Sequence, residues 1–323
     1  MRRLLVAGVA ACLWPRRFAF AAPEGRYPIR PLRLILPSTV GGTSDLLGRL
    51  LAQPLSEALG VAVVVDPRPG AAGQNALDLL AEAPPDGYTL LLANNATHAI
   101  VPGAQARQDR DRMRFVPVIK LARLPIVVVV SPALGVARLA DLIAMALREP
   151  GTLSYASGDI GSTSHMAASL LFRRANASLV YIPYSGTSAA IRDVLAGTVP
   201  VLFTHLGSVT SLLQAGRLRA LAVTGSHRMA EFPAIETVAE AGYANFDVTT
   251  WHGVVVPAGT PRAIVSRLYD ELARIVAQPG MRRQLALLGM EPETGTPEQF
   301  AADIETDAQY WAGVIRATSG SRK

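Results

Sequence analysis

The chain has 323 residues, half of them hydrophobic and 17% charged, with 31 basic against 25 acidic side chains. That is length for one large or two medium domains, each with its own core, and a folded α/β protein is the expectation. Arg2, Arg3, Arg16 and Arg17 belong to a leader-like N-terminus, and without those four 27 basic residues face 25 acidic ones, which removes the main support for nucleic-acid binding.

The leader reads as a secretory signal over residues 1–21: a basic Met1-Arg2-Arg3, an apolar stretch from Leu4 to Trp14, and a small-x-small site at Ala19-Phe20-Ala21. Export to an oxidising compartment is the expectation. Pro15-Arg16-Arg17 interrupts the pattern, and Val9-Ala10-Ala11-Cys12 resembles a lipobox, so a lipid anchor at Cys12 is the alternative, with only about six apolar residues before it. Cys12 is the sole cysteine; a cleaved chain has none, which excludes disulfides, thiolate catalysis and cysteine metal sites. Elsewhere no run approaches the roughly 20 apolar residues that a membrane span needs.

Beyond the leader, strand-like and helix-like segments alternate. LRLIL (32–36) is a short apolar strand, followed by a leucine stripe at Leu46, Leu47, Leu50, Leu51, Leu55 and Leu59. The stripe predicts a helix over 45–59 stopped by Gly60, and Pro54 inside it is expected to kink or split it. Further strands are expected at 61–65, 88–93, 126–130, 153–157, 179–183, 199–204 and 218–224, with helical patterns at 139–151, 164–174, 188–197 and 262–280. Short, continuous, β-branched runs are what a sheet covered on both faces requires, so the order predicts a doubly wound, mostly parallel sheet. "RQDRDRMR" (107–114) mixes signs and reads as a solvated loop.

Ligands of open α/β sheets lie outside the carboxyl ends of the strands, where loops enter helices. Two such loops share one design: PSTVGGTSD after strand 32–36 and GDIGSTSH after strand 153–157. Each offers glycines for close backbone approach, hydroxyls that cap or donate, and a helix start that favours an anion. A plain helix cap with turn glycines and no ligand explains either loop taken alone. Neither is a P-loop, and GAAGQNA (70–76) only partly matches a dinucleotide loop, so no cofactor is expected.

Catalytic machinery is not legible. The five histidines, His98, His165, His205, His227 and His252, form no metal-binding spacing. No G-x-S-x-G elbow exists; Gly161-Ser162-Thr163-Ser164-His165 is the nearest approach to a hydrolase. Asp45 and Asp159 lie near helix starts, where acids suit the helix dipole.

Taken together, P-x-x-x-G-G-x-x-D (37–45), RPGAAG (68–73), PDGYTLL (85–91), DIGSTSH (159–165), IPYSG (182–186), LRALAVTGSHR (218–228), TVAEAG (237–242) and WHGVVVPAGTP (251–261) resemble the Bug family. These are TctC-like extracytoplasmic receptors of tripartite tricarboxylate transporters, and the likeness runs in order from about Tyr27 into the C-terminal region. The resemblance implies a two-lobed, Venus-flytrap periplasmic binding protein that holds a small organic acid and delivers it to a membrane transporter. It implies lobe 1 from residues 27–124 plus 248–323, and lobe 2 from 125–247. It also implies a monomer without catalytic residues, metal, cofactor or nucleic-acid partner.

The family's binding loops map onto Ser38, Thr39, Val40, Gly41, Gly42, Thr43 and Asp45, and onto Ser157, Gly161, Ser162, Thr163, Ser164 and His165. Nearby stand Asn94, Thr97 and His98, then Tyr184 and Gly186, with Thr204 at a strand end and Trp251 at a strand start. A carboxylate is the expected guest of the Val40-Gly41-Gly42 loop. Asp45 is expected to cap its helix, since a carboxylate aimed at an anion would repel it. VDPRPG, Pro54, Thr204-His205 in place of a more typical acidic residue, and the segment GAQARQDRDRMRF depart from the family pattern. Two other readings stay open: a periplasmic ligand sensor for a two-component kinase, and an α/β hydrolase.

Overall fold

A computed structural model describes residues 27–100 and 114–319. The expected leader over 1–21, Cys12 and nearly all of the 107–114 segment lie outside the described residues.

The apolar run Leu32–Leu36 forms strand β1, and the leucine stripe forms helix α1 (Thr43–Leu59), ended by Gly60 in the left-handed conformation. Then come β2 (Val63–Pro67), α2 (Gln74–Glu82), β3 (Thr89–Asn94), a π-helical turn Ala96–Ile100 and β4 (Phe115–Val130). The middle of the chain supplies α3 (Leu139–Arg148), β5 (Ser154–Ser157), α4 (Thr163–Arg174), β6 (Val180–Pro183), α5 (Thr187–Leu195), β7 (Val201–His205), α6 (Thr210–Gln214) and β8 (Arg219–Val223). It closes with β9 (Thr249–Pro257), α7 (Arg262–Ala277), α8 (Pro279–Leu287), β10 (Glu291–Gly295) and α9 (Pro297–Ser319).

Pro54 does not split α1. The helix is one segment through it, because Leu47, Leu51, Leu55 and Leu59 are buried on one face and their packing outweighs the missing backbone bond.

The main sheet runs β2-β1-β3-β9-β4-β7-β5-β6, with β8 and β10 also on β4. Its two arms are parallel, β1 with β2 and β3, and β5 with β6 and β7. Its middle is antiparallel, since β9 pairs with β3 and β4, and β4 pairs with β7, β8 and β10. The sheet is therefore parallel in the arm of each half, as expected, and antiparallel where the halves meet.

β4 is the reason. Its first part, Phe115–Pro125, pairs with β9, and Ile126–Val130 pairs with β7 and β8, so one strand passes from one half of the molecule to the other. Only its last five residues were legible as a strand. Pro117, Lys120, Arg123 and Pro125 mask the rest, and the ladder with β9 absorbs them with register shifts at Pro117/Ile119 and Lys120/Ala122.

Two separate groups of buried side chains flank the crossing. Leu34, Leu47, Leu92, Leu124, Leu268 and Leu272 belong to one, and Val128, Tyr155, Leu171, Phe172 and Phe203 to the other. Helix α9 touches both halves: Phe300 and Ile304 pack with Trp251, while Ala308 and Trp311 join the core of Phe172 and Phe203. Gly253 lets α9 lie close, because a Cβ there would come within 2.3 Å of Phe300 Cζ.

Candidate functional site

The loops that follow β1 and β5 are built alike. Thr39 O accepts from Gly42 N at 3.1 Å, and Asp159 O accepts from Ser162 N at 2.9 Å, closing a turn before each helix. The third residue of each turn, Gly41 (φ 81°) or Gly161 (φ 86°), is left-handed, a conformation glycine adopts without strain. The second residue, Val40 or Ile160, is 72% exposed in both cases. Each turn glycine then donates to the side chain four residues on: Gly41 N to Asp45 Oδ2 at 3.0 Å, and Gly161 N to His165 Nδ1 at 3.4 Å.

The helix starts differ. Gly42 begins α1 with no side-chain cap, whereas Ser162 Oγ caps α4 by accepting from His165 N at 3.2 Å. Tyr181 donates to Gly158 O at 2.5 Å and Gly158 N donates to Ser164 Oγ at 3.1 Å, which fixes the second loop further. Helix α5 also starts without a side-chain cap, at Gly186.

These three helix starts open on one cavity of about 420 Å3, within the size range of small-molecule sites. Its back is formed by Thr204 and His205 at the end of β7 and by Thr250 and His252 in β9. Hydrogen bonds cross the cleft: Thr43 Oγ1 with His205 Nδ1 at 3.2 Å, and Thr163 Oγ1 to Asn95 Oδ1 at 2.8 Å, while Asn95 Nδ2 donates to Thr249 O. Among the described residues that line the cavity none is Lys or Arg, and Asp159 is the one carboxylate.

Of the residues expected from sequence, Ser38, Thr39, Gly42, Thr43, Asn94, Ser157, Ser162, Thr163, Ser164, Tyr184, Gly186 and Thr204 line this cavity. Val40, Gly41, Asp45, Thr97, His98, Gly161, His165 and Trp251 do not, and each has another structural place. Val40, Gly41 and Gly161 form the outer turns, and Asp45 and His165 hold those turns from behind.

Thr97 hydrogen-bonds back to Asn94, and His98 stacks edge-on to Phe115 with ring centroids 4.3 Å apart. Trp251 turns away, donating Nε1–H to Asp307 Oδ2 at 2.8 Å; burial raises that carboxyl to about 6. The Tyr184 hydroxyl, expected to reach a ligand, instead donates to Asp193 at 2.5 Å, leaving its ring as the wall.

Thr250 was not singled out in the sequence and His252 stood there only among the five histidines, whereas period-two alternation could have placed both at the cavity. Successive strand residues face opposite sides, so a Trp251 committed to α9 puts both neighbours on the cavity side. His205 stood in the sequence among the five histidines and as a departure from a family pattern. Burial pushes His205 down to about 4, and burial with His205 nearby pushes His252 to about 3, so both rings are neutral at ordinary pH.

Asp45 responds to opposing influences. Burial alone would raise it, but the Arg49 side chain and the Gly41 amide hold it below the usual carboxylate range. Its charge is paired with Arg49 and does not face the cavity unscreened.

The model of the family described as tripartite tricarboxylate transporter family receptor matches residues 47–319. Protein BugT of Bordetella pertussis is 34% identical over 302 residues, spanning 92% of each chain. Among solved structures, Rpa4515 of R. palustris with adipate has a TM-score of 0.85 at 33% identity, covering 90% of this chain and 97% of that one. MatC of Rhodopseudomonas palustris with bound malate has a TM-score of 0.82 at 26% identity, covering 90% and 100%.

Proposed function

This chain belongs to the family of tripartite tricarboxylate transporter receptors, and from that premise we propose that it captures a small organic acid in the cavity between β1–α1, β5–α4 and β6–α5 and delivers it to a membrane transporter of the tripartite tricarboxylate type. The family consists of periplasmic solute-binding proteins, and two structural relatives hold carboxylates, adipate and malate. One observation carries the reading: three helix starts, two of them without side-chain caps, meet at one cavity whose described lining contains no Lys or Arg.

Free N–H groups at a helix start and the helix dipole attract an anion without a dedicated cation. Backbone N–H bonds to a carboxylate gain strength where water is excluded, so closure of the two lobes around the acid is the central step. The moving bodies in this proposal are residues 27–124 plus 248–323 and residues 125–247, joined where β4, the 248–250 segment and α9 pass between them. An acid drives closure only by making better contacts in the closed form than in the open one.

The contacts proposed are Ser38, Thr39, Gly42 and Thr43 on one wall, and Ser157, Ser162, Thr163, Ser164, Tyr184 and Gly186 on the other. Asn94 and Thr204 complete them. A thermal-unfolding screen with mono- and dicarboxylates tests the reading. At 100 times its dissociation constant, a true ligand adds about 2.7 kcal/mol of stability. Folded, ligand-free protein that responds to no acid in such a panel overturns the proposal.

A further inference from the structure

A carboxylate seated at the helix starts leaves the back of the cavity without a task. His205 ends β7 opposite Ile126, and His252 lies in β9 opposite Ala122, so both stand beside the crossing strand β4. His205 is bonded on both sides, to Thr43 Oγ1 at 3.2 Å and Thr250 Oγ1 at 2.9 Å. His252 Nε2 pairs with Ser44 Oγ at 2.9 Å, while its Nδ1 is buried and has no partner. Both rings line the cavity, and His252 is only 1% exposed.

A second carboxylate reaching this end would meet imidazoles and hydroxyls, with no Lys or Arg among the described lining residues. Burying an uncompensated anion is strongly unfavourable, and a proton brought with it removes the cost. The unpartnered Nδ1 of His252 and the neighbouring His205 ring are the groups here that can take up that proton, so the complex holds one proton more than the separated partners. Building on the receptor reading above, we propose that His205 and His252 select dicarboxylic acids and that the dianion is captured together with one proton, whereas a monocarboxylate is captured with none.

The surrounding charges agree with this. Asp159, the one carboxylate of the cavity lining, belongs to the turn before α4 rather than to the strands that carry the two rings. Asp45 is paired with Arg49, Lys120 with Glu293 and Asp303, and Arg123 faces Asp247 and Glu291. Asp307 holds Trp251 and Asp193 holds Tyr184, while His98 is packed on Phe115 and His165 on Tyr181. None of these is a free cation beside the two rings. Both rings start neutral because of burial, and so have a proton to gain.

Titration calorimetry of adipate and malate, with hexanoate and lactate as monocarboxylates, tests the proposal in HEPES and in Tris at one pH. The two buffers differ in ionisation heat, so the difference between them counts protons. The expected result is about one proton taken up per dicarboxylate near pH 7.5, with binding weakening on the order of tenfold per pH unit above it.

Monocarboxylates show no uptake, and His205→Gln with His252→Gln cuts the uptake by more than half. Dicarboxylate binding without proton uptake overturns the proposal while the receptor reading stands. Undiminished uptake in the double variant overturns the assignment to these histidines. Binding of no acid at all overturns both. The wild-type buffer comparison decides the main point even if the double variant does not fold.

Discussion

The turn before α1 and the turn before α4 share a backbone but are finished differently. Thr39–Gly42 is held by a charged group, Asp45, itself paired with Arg49, and leads into an uncapped helix. Asp159–Ser162 is held by a neutral ring, His165, through a longer bond, and leads into a helix already capped by Ser162. Matching geometry thus carries unequal donor supply. The α1 start keeps backbone N–H groups available for an anion, and the α4 start offers hydroxyls whose own partners are largely in place.

Asp45→Ala should separate the two most. It removes the buried acceptor of the Gly41 amide and of Arg49, a loss of about 1–3 kcal/mol of stability in denaturant unfolding, with acid binding weakened by more than about tenfold. His165→Ala, at the matching position, should cost less than about 1 kcal/mol, because its bond to Gly161 is long. Equal costs would show that the two turns are interchangeable.

The Asp45 effect also has a pH signature. A carboxylate whose folded value is lowered stabilises above its unfolded value, and that contribution is lost as pH falls through the folded value. The gap in unfolding temperature between wild type and Asp45→Ala should therefore shrink below about pH 4, the ordinary aspartate value. A gap that stays constant to lower pH contradicts the ion-paired account.

Ser162→Ala should cost about 1 kcal/mol and Ser162→Gly only a few tenths, the ordering expected of a helix cap. No cost on either substitution would leave α4 as uncapped in practice as α1. The smallest effects belong to the turn tips: Val40→Ser and Ile160→Ser, both at exposed positions, should stay within about 0.5 kcal/mol of wild type in the same unfolding assay.

Several elements could be read directly from residue order because their signals are local. LRLIL at 32–36, the leucine stripe of α1 and the Gly60 stop all rest on neighbours along the chain, as does the likeness of the 37–45 and 159–165 loops. β4 escaped because its first part is punctuated by prolines and charges that only its partner β9 makes tolerable. Trp251 drew attention as the start of the WHGVVVPAGTP segment, yet α9 claims it, and His252 and Thr250 take the cavity. Tyr184 kept its wall position but lost its hydroxyl to Asp193, a partner nine residues away.

Residue order by itself determined many of the elements, the two glycine turns and the family, since each depends on periodicity, turn chemistry or motif spacing. Only the tertiary structure decided which side chains share the cavity. Thr43 meets His205, Thr163 meets Asn95 and Ser44 meets His252 across separations of 162, 68 and 208 residues, and no local pattern encodes such pairings. They arise where a single strand, β4, carries the chain between two cores and brings the ends of β7 and β9 to the back of one cleft.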